Sequence, residues 1–259
     1  MKTLIYLLPM CTLLHFTPSN DLTTKENREL RTEKNFFRFG DQLVTIESHG
    51  YAAAKSYVLL SLHSNETSSI TAALNFTRTS EALFIRLVNN NKRNIEGYFL
   101  DTHINFDPNN IYTDWGRKEH LKDNNCWTKY IDMKVEQFSQ FILNEIPYDK
   151  TIVSVHSHKG NSIRNYSEKR KLNRQVKALY INSTQSPSDY FLTTDENIFE
   201  KLKESQYNVL LMHPKKIENK GGLAVYCART KRPYVQVETG EENTEMQEKM
   251  LMVLDGILK

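Results

Sequence analysis

Three apolar runs in this sequence end in side chains that could bind or work beside a metal ion. Tyr57-Val-Leu-Leu-Ser-Leu62 reads as a buried strand and leads straight into His63-Ser-Asn-Glu66. An imidazole and a carboxylate three residues apart on one turn suit zinc, which takes nitrogen and oxygen donors together. Thr151-Ile-Val-Ser-Val155 is a second strand, with His156-Ser-His158 at its end. Pro233-Tyr-Val-Gln-Val237 is a third and ends at Glu238. A hydrolytic zinc site needs three protein ligands, an open position for water and a base that is not itself a ligand. His63, Glu66 and His156 fill the ligand roles for one Zn2+ per chain, and Glu238 fills the role of catalytic base. His158 is the alternative to His156 and is otherwise a substrate-binding candidate.

Ordinary readings compete with each assignment. Eight histidines make one chance His-x-x-Glu unremarkable, and Glu238 could be a plain strand-end carboxylate. The shared layout argues for a site: in open α/β sheets, ligands bind beyond the carboxyl ends of strands. His103, His120 and His213 have no comparable context and read as surface or packing residues. His120-Leu-Lys-Asp123 has similar spacing on a helix expected to be exposed.

The elements that must position these groups alternate along the chain. Phe36–Phe39 and Gln42–Glu47 flank Gly40-Asp41, a hairpin signal. A helix is expected from Ser68 to Thr79, a strand over Leu83–Val88, and two short strands within Ile95–Phe106. Thr113 or Asp114 caps a further helix. Ile131, Val135, Phe138, Ile142 and Ile146 recur at helical spacing up to Pro147. Residues 159–188 are polar and basic and read as a long excursion, a lid or rim. Then follow a helix over Asp195–Glu204, strands at Tyr207–Met212 and Leu223–Cys227, and a closing helix over Thr244–Leu258. This alternation predicts an α/β three-layer sandwich: a mixed, largely parallel central sheet flanked by helices, within a single catalytic domain over residues 35–259.

At four places the chain resembles the aspartoacylase and succinylglutamate desuccinylase branch of the zinc carboxypeptidase superfamily. His63-Ser-Asn-Glu-Thr-Ser is similar to the family's His-Gly-Asn-Glu-x-Ser zinc motif, and Ser154-Val-His156-Ser to its third-ligand strand. Asp107-Pro-Asn-Asn110 falls where the family carries Asp-x-Asn-Arg, and Val237-Glu238-Thr-Gly240 resembles its Ile-Glu-x-Gly base segment. The resemblance implies a zinc-carboxypeptidase-like fold, amide hydrolysis and a substrate contact at Asn109. Asn110 departs from the family by replacing its arginine. Arg93, in Lys92-Arg93-Asn94, is the nearby candidate to bind a substrate carboxylate.

Composition narrows the partners. The 34 basic and 31 acidic residues nearly cancel to +3, which speaks against a nucleic-acid-binding stripe. Lys2 followed by the apolar Leu4–Leu14 run reads as a signal peptide over residues 1–20, too short for a membrane span, with a flexible lead-in over 21–34. Lipoprotein processing at Cys11 is disfavoured by its setting inside the apolar run. Cys126 and Cys227 could pair in an oxidising compartment or remain separate thiols. Sequons at Asn65, Asn75, Asn165 and Asn182 favour a bacterial exported protein, periplasmic or extracellular, because a glycan on Asn65 would obstruct the metal motif. The expected activity is that of an exported zinc-dependent amidohydrolase acting on a peptide or amide, with peptidoglycan-derived substrates in view. A secreted non-catalytic binding module and a metal-dependent esterase or deacetylase are the alternatives.

Overall fold

The computed structural model describes residues 31–50, 55–213, 216 and 221–259. The expected signal peptide, Cys11 and most of the lead-in lie outside the described residues. In chain order the strands are β1 (Thr32–Phe39), β2 (Gln42–His49), β3 (Tyr57–Ser61), β4 (Leu83–Val88), β5 (Ile95–Phe99), β6 (Thr102–Phe106), β7 (Thr151–His158), β8 (Val176–Tyr180), β9 (Tyr190–Thr193), β10 (Val209–Met212) and β11 (Tyr234–Gly240). The helices are α1 (Thr67–Ser80), α2 (Asp114–Asp123), α3 (Lys129–Glu145), α4 (Asn165–Glu168), α5 (Arg170–Asn173), α6 (Glu196–Glu204), α7 (Leu223–Thr230) and α8 (Thr244–Ile257).

Nine strands form one sheet in the order β1-β2-β4-β3-β7-β11-β9-β10-β8, and β5 and β6 make a separate hairpin. The sheet is mixed. Its centre, β4-β3-β7-β11, is parallel throughout, as is the β9–β10 pair, while β1, β2 and β8 join antiparallel. The central strands are buried on both faces, which explains why β3 reads as an unbroken apolar run.

Alternation along the central strands sorts side chains between two apolar layers. Val58, Leu60, Ile152 and Tyr234 face a layer that α3 and α7 complete with Val135, Phe138 and Val225. Tyr57, Leu59, Val153, Val155, Val235 and Val237 face the opposite layer, under α1, α6 and α8. The helix ends follow local chemistry. Thr113, Thr128 and Asp195 accept hydrogen bonds from first-turn amides of α2, α3 and α6.

Three expectations change. Leu223–Cys227, read as a strand, is the start of α7. Five apolar residues carry too little periodicity to separate the two, and β11 fills the sheet position beside β7. Residues 159–188, read as a long excursion forming a lid or rim, contain α4, α5 and the edge strand β8. The lead-in ends earlier than residue 34, because Thr32, Glu33 and Lys34 pair with His49, Ser48 and Glu47. Their polar side chains disguise a strand that meets solvent on both faces there.

Cys126 and Cys227 are both free and buried. Burial raises both thiols, Cys227 to about 12. Among the described residues, no helix is long and apolar enough to cross a membrane.

Candidate metal centre

The strand-end layout converges. β3 and β7 are parallel neighbours with Leu60 beside Ser154, so their carboxyl ends lie together. Past β3 the chain turns through His63–Glu66, and Glu66 becomes the residue that opens α1. The turn is tied by the Glu66 amide donating to the His63 carbonyl at 3.2 Å and by Ser69 Oγ donating to the Glu66 carbonyl at 2.8 Å.

His63, Glu66 and His156 each offer a ligand atom, and these atoms all lie within 4.8 Å of one another. All three residues are buried. His63 Nδ1 lies 2.8 Å from Glu66 Oε1, and His156 Nδ1 lies 3.1 Å from Glu66 Oε2. Their outer nitrogens are engaged separately: His63 Nε2 is 2.8 Å from Asp107 Oδ1, and His156 Nε2 is 2.7 Å from Ser154 Oγ. That is the arrangement expected of metal-ligating histidines, in which one nitrogen is held by an outer partner and the other presents its lone pair to the ion. The donor set of two imidazoles and one carboxylate suits zinc.

The charges fit the same reading. Burial alone would lower the His63 pKa, but the hydrogen bonds and charges of Asp107 and Glu66 outweigh it and lift it to about 9. Burial would raise both carboxyls. Glu66 is nonetheless held well below the usual carboxylate range by His156 and His63, and Asp107 is held at about 2 by His63 and Arg93. Two ionised carboxylates thus face a protonated His63 and the Arg93 guanidinium, so a metal ion would take the place of the His63 Nδ1 proton.

Arg93, considered for a substrate carboxylate, reaches protein carboxylates. Its guanidinium spans Glu66 Oε1 at 2.9 Å and Asp107 Oδ2 at 3.2 Å, while the side chain stays half exposed. Asn109 links two segments: its amide donates to Asp107 Oδ1 at 2.8 Å, and its Oδ1 accepts from the Leu223 amide at 3.4 Å. Gly221 is required there, since a side chain would collide with the Asn110 carbonyl.

Glu238 lies directly beside His156 in the parallel β7–β11 register. His158 lies on the same face of β7, with its Nε2 3.5 Å from Glu238 Oε2. That approach is close enough for an ion pair but makes no hydrogen bond, and both atoms are buried without a hydrogen-bond partner. Glu238 Oε1 is occupied by Gln236.

The residues that sequence reasoning passed over mostly support others. His120 is half buried, not on an exposed face, and its Nε2 accepts the Asp107 amide at 2.8 Å. Asp107 was visible only as the first residue of the Asp107-Pro-Asn-Asn110 resemblance, with no role of its own. Ser154 and Gln236 each stand two residues before a site residue on the same strand face. Period two could have flagged them.

No protein-family model matches this chain, and no curated protein matches it. Solved structures do resemble it. One described as a candidate metallopeptidase, from Shewanella denitrificans, is 14% identical over 88% of this chain and 82% of its own, with a TM-score of 0.43. An aspartoacylase family protein from Mesorhizobium loti is 10% identical over 90% and 68%, with a TM-score of 0.46. A candidate succinylglutamate desuccinylase/aspartoacylase from Shewanella frigidimarina is 8% identical over 88% and 72%, with a TM-score of 0.46.

Proposed function

We propose that this chain is a zinc-dependent hydrolase of amide or peptide bonds, with His63, Glu66 and His156 as ligands and Glu238 as catalytic base. The observation that carries the reading is the convergence of two Nδ1 atoms and one carboxylate, with each imidazole anchored through its other nitrogen. A zinc ion held there would polarise the scissile carbonyl and bring the pKa of a water to about 7. Glu238 Oε2 has no hydrogen-bond partner and takes a proton from the attacking water. The same carboxyl then returns it to the leaving amine. His158 Nε2, also without a hydrogen-bond partner, lies 3.5 Å from Glu238 Oε2 and is assigned to contact the substrate. Arg93 neutralises the outward side of Glu66 and Asp107.

An exported location, read from residues 1–20, makes cell-wall peptides or muramyl amides the substrate class we put forward. Arg93 on Glu66 Oε1 also favours a second reading, since it engages an oxygen that a metal would use: a binding module that retains the fold without turnover. The test measures zinc content and hydrolysis of peptidoglycan fragments by the wild type and Glu238→Gln. The hydrolase reading expects about one zinc per chain in both proteins, with turnover lower by about 10²–10⁴-fold in the variant. Zinc bound without turnover on any amide supports the binding module. Absence of zinc under conditions that fill a control hydrolase defeats the metal assignment.

A further inference from the structure

We propose that a basic cleft beside the β8 edge of the sheet, lined by Arg170, Lys171, Arg174, Gln175 and Lys216, is a second binding site that takes a small phosphate-bearing anion. The proposal does not depend on the metal assignment. The cleft encloses about 460 Å³, within the range of about 300–1,000 Å³ usual for small-ligand sites. It lies away from the metal centre. Leu211 of β10 pairs with Thr193 of β9, which pairs in turn with Val235 of β11. That level is about 10 Å before Glu238 along the strand direction and two strand spacings, about another 10 Å, to the side. β10 runs opposite to β11, so the residues after Leu211 lead farther from Glu238.

Two walls carry the charges, and main-chain hydrogen bonds tie them together. One is the helical turn of α5: the Arg174 amide donates to the Arg170 carbonyl at 3.4 Å, and both side chains line the cleft. The other is the turn after β10, where the Lys216 amide donates to the His213 carbonyl at 3.1 Å. The His213 amide donates to the Gln175 carbonyl at 2.7 Å and joins the two. Just before this tie the β8–β10 register shifts: Leu211 pairs with Ala178, but Met212 pairs with Val176. Lys177 is thus an extra residue, a bulge of the kind that bends a strand and re-aims side chains beside binding sites. Gln175 is buried, and its Nε2 donates to the Lys171 carbonyl at 3.4 Å.

Four of the five lining side chains are cationic, and no carboxylate is among the described residues that line the cleft. Arg170, Arg174 and Lys216 have no ion-pair partner among the described residues. Like charges one helical turn apart weaken a helix, and cations on facing walls repel, so the arrangement is unfavourable until an anion enters. The surplus of charge selects the anion. A carboxylate brings one charge and two oxygens, whereas a phosphate ester brings close to two charges and three acceptor oxygens. Arg170 and Arg174 supply planar guanidinium forks suited to phosphate oxygens, and Lys216 adds a point charge.

Arg170, Arg174 and Lys216 are exposed, so replacing them leaves the packed layers untouched. Titration calorimetry at low salt compares glycerol 3-phosphate with succinate, a carboxylate ligand of nearly matched charge. We expect a single saturable site for glycerol 3-phosphate, with succinate weaker by about 10-fold or more. Arg170→Gln/Arg174→Gln is expected to weaken glycerol 3-phosphate by about 10-fold or more. Lys118→Gln/Lys129→Gln removes the same charge from exposed positions on α2 and α3, outside the cleft, and should change binding by less than about twofold. Thermal denaturation checks that both double variants fold. A wild type without saturable binding, succinate bound as tightly as the phosphate ester, or equal losses in the two double variants overturns the proposal.

Discussion

In the proposed zinc site, replacing Asp107 isolates how much an outer partner would contribute to metal binding. Its Oδ1 holds His63 Nε2 and the Asn109 amide, both at 2.8 Å, and its Oδ2 takes Arg93. Asn at this position keeps an oxygen that can accept both Oδ1 contacts but loses the charge and the Arg93 pair. Ala loses everything. Outer partners of metal-ligating histidines are worth about 10–100-fold in affinity, or about 1.4–2.7 kcal/mol. Asp107→Asn is expected near the lower end, a loss of about 10-fold, because the ring stays oriented. Asp107→Ala is expected near the upper end, and it also frees the turn over Pro108–Asn110 that Asp107 caps. Zinc dissociation constants from chelator competition, with thermal denaturation as a fold control, provide the measure. An Asp107→Ala protein that folds and binds zinc as tightly as the wild type would refute the argument that the Nε2 anchor organises the site.

Two further expectations concern the scaffold. Burial would raise Glu47, but Lys34 and Arg86 hold its carboxyl at about 2, against 4.5 for a free one. The stabilisation is therefore complete above about pH 4.5 and is lost as pH falls through about 2. The gap is worth about 3 kcal/mol at most, and the 54% exposure of Lys34 reduces it to about 1–2 kcal/mol. Urea midpoints for Glu47→Gln should be lower than wild type at pH 7 and should converge with it toward pH 2; parallel curves would dismiss the ion-pair account. Phe138 is fully buried, with Phe37 and Phe39 rings 5.1 Å away. Phe138→Ala should cost about 3–5 kcal/mol by denaturant unfolding, and a loss under 1 kcal/mol would mean the layer collapses to fill the gap.

The sequence by itself determined the parts whose signals are local. β3 declared itself by an unbroken apolar run, α3 by apolar residues at helical spacing, and α6 by Asp195, whose side chain bonds two first-turn amides. The three metal-ligand candidates were legible for the same reason. Each is a metal-type side chain at the end of an apolar strand, and strand ends in such sheets collect ligands. Local signals failed where the same residues suit two states. Leu223–Cys227 is apolar in either a strand or a helix, and only the closed sheet beside it made α7 a helix. Thr32–Lys34 is polar because both of its faces meet water, and only pairing with His49–Glu47 made it a strand.

Tertiary structure alone decided which atoms meet. His120 and Asp107 are 13 residues apart, and a hydrogen bond to the Asp107 amide turned an apparent surface histidine into a support beneath the site. Arg93 could have faced a substrate, yet the fold brought Glu66 and Asp107 to it first. Above all, β11 came to lie beside β7 with Glu238 level with His156 and Gln236 level with Ser154. No periodicity encodes that register, because it depends on how distant strands stack. It is also what places a buried carboxylate oxygen without a partner next to a group that could hold a metal ion.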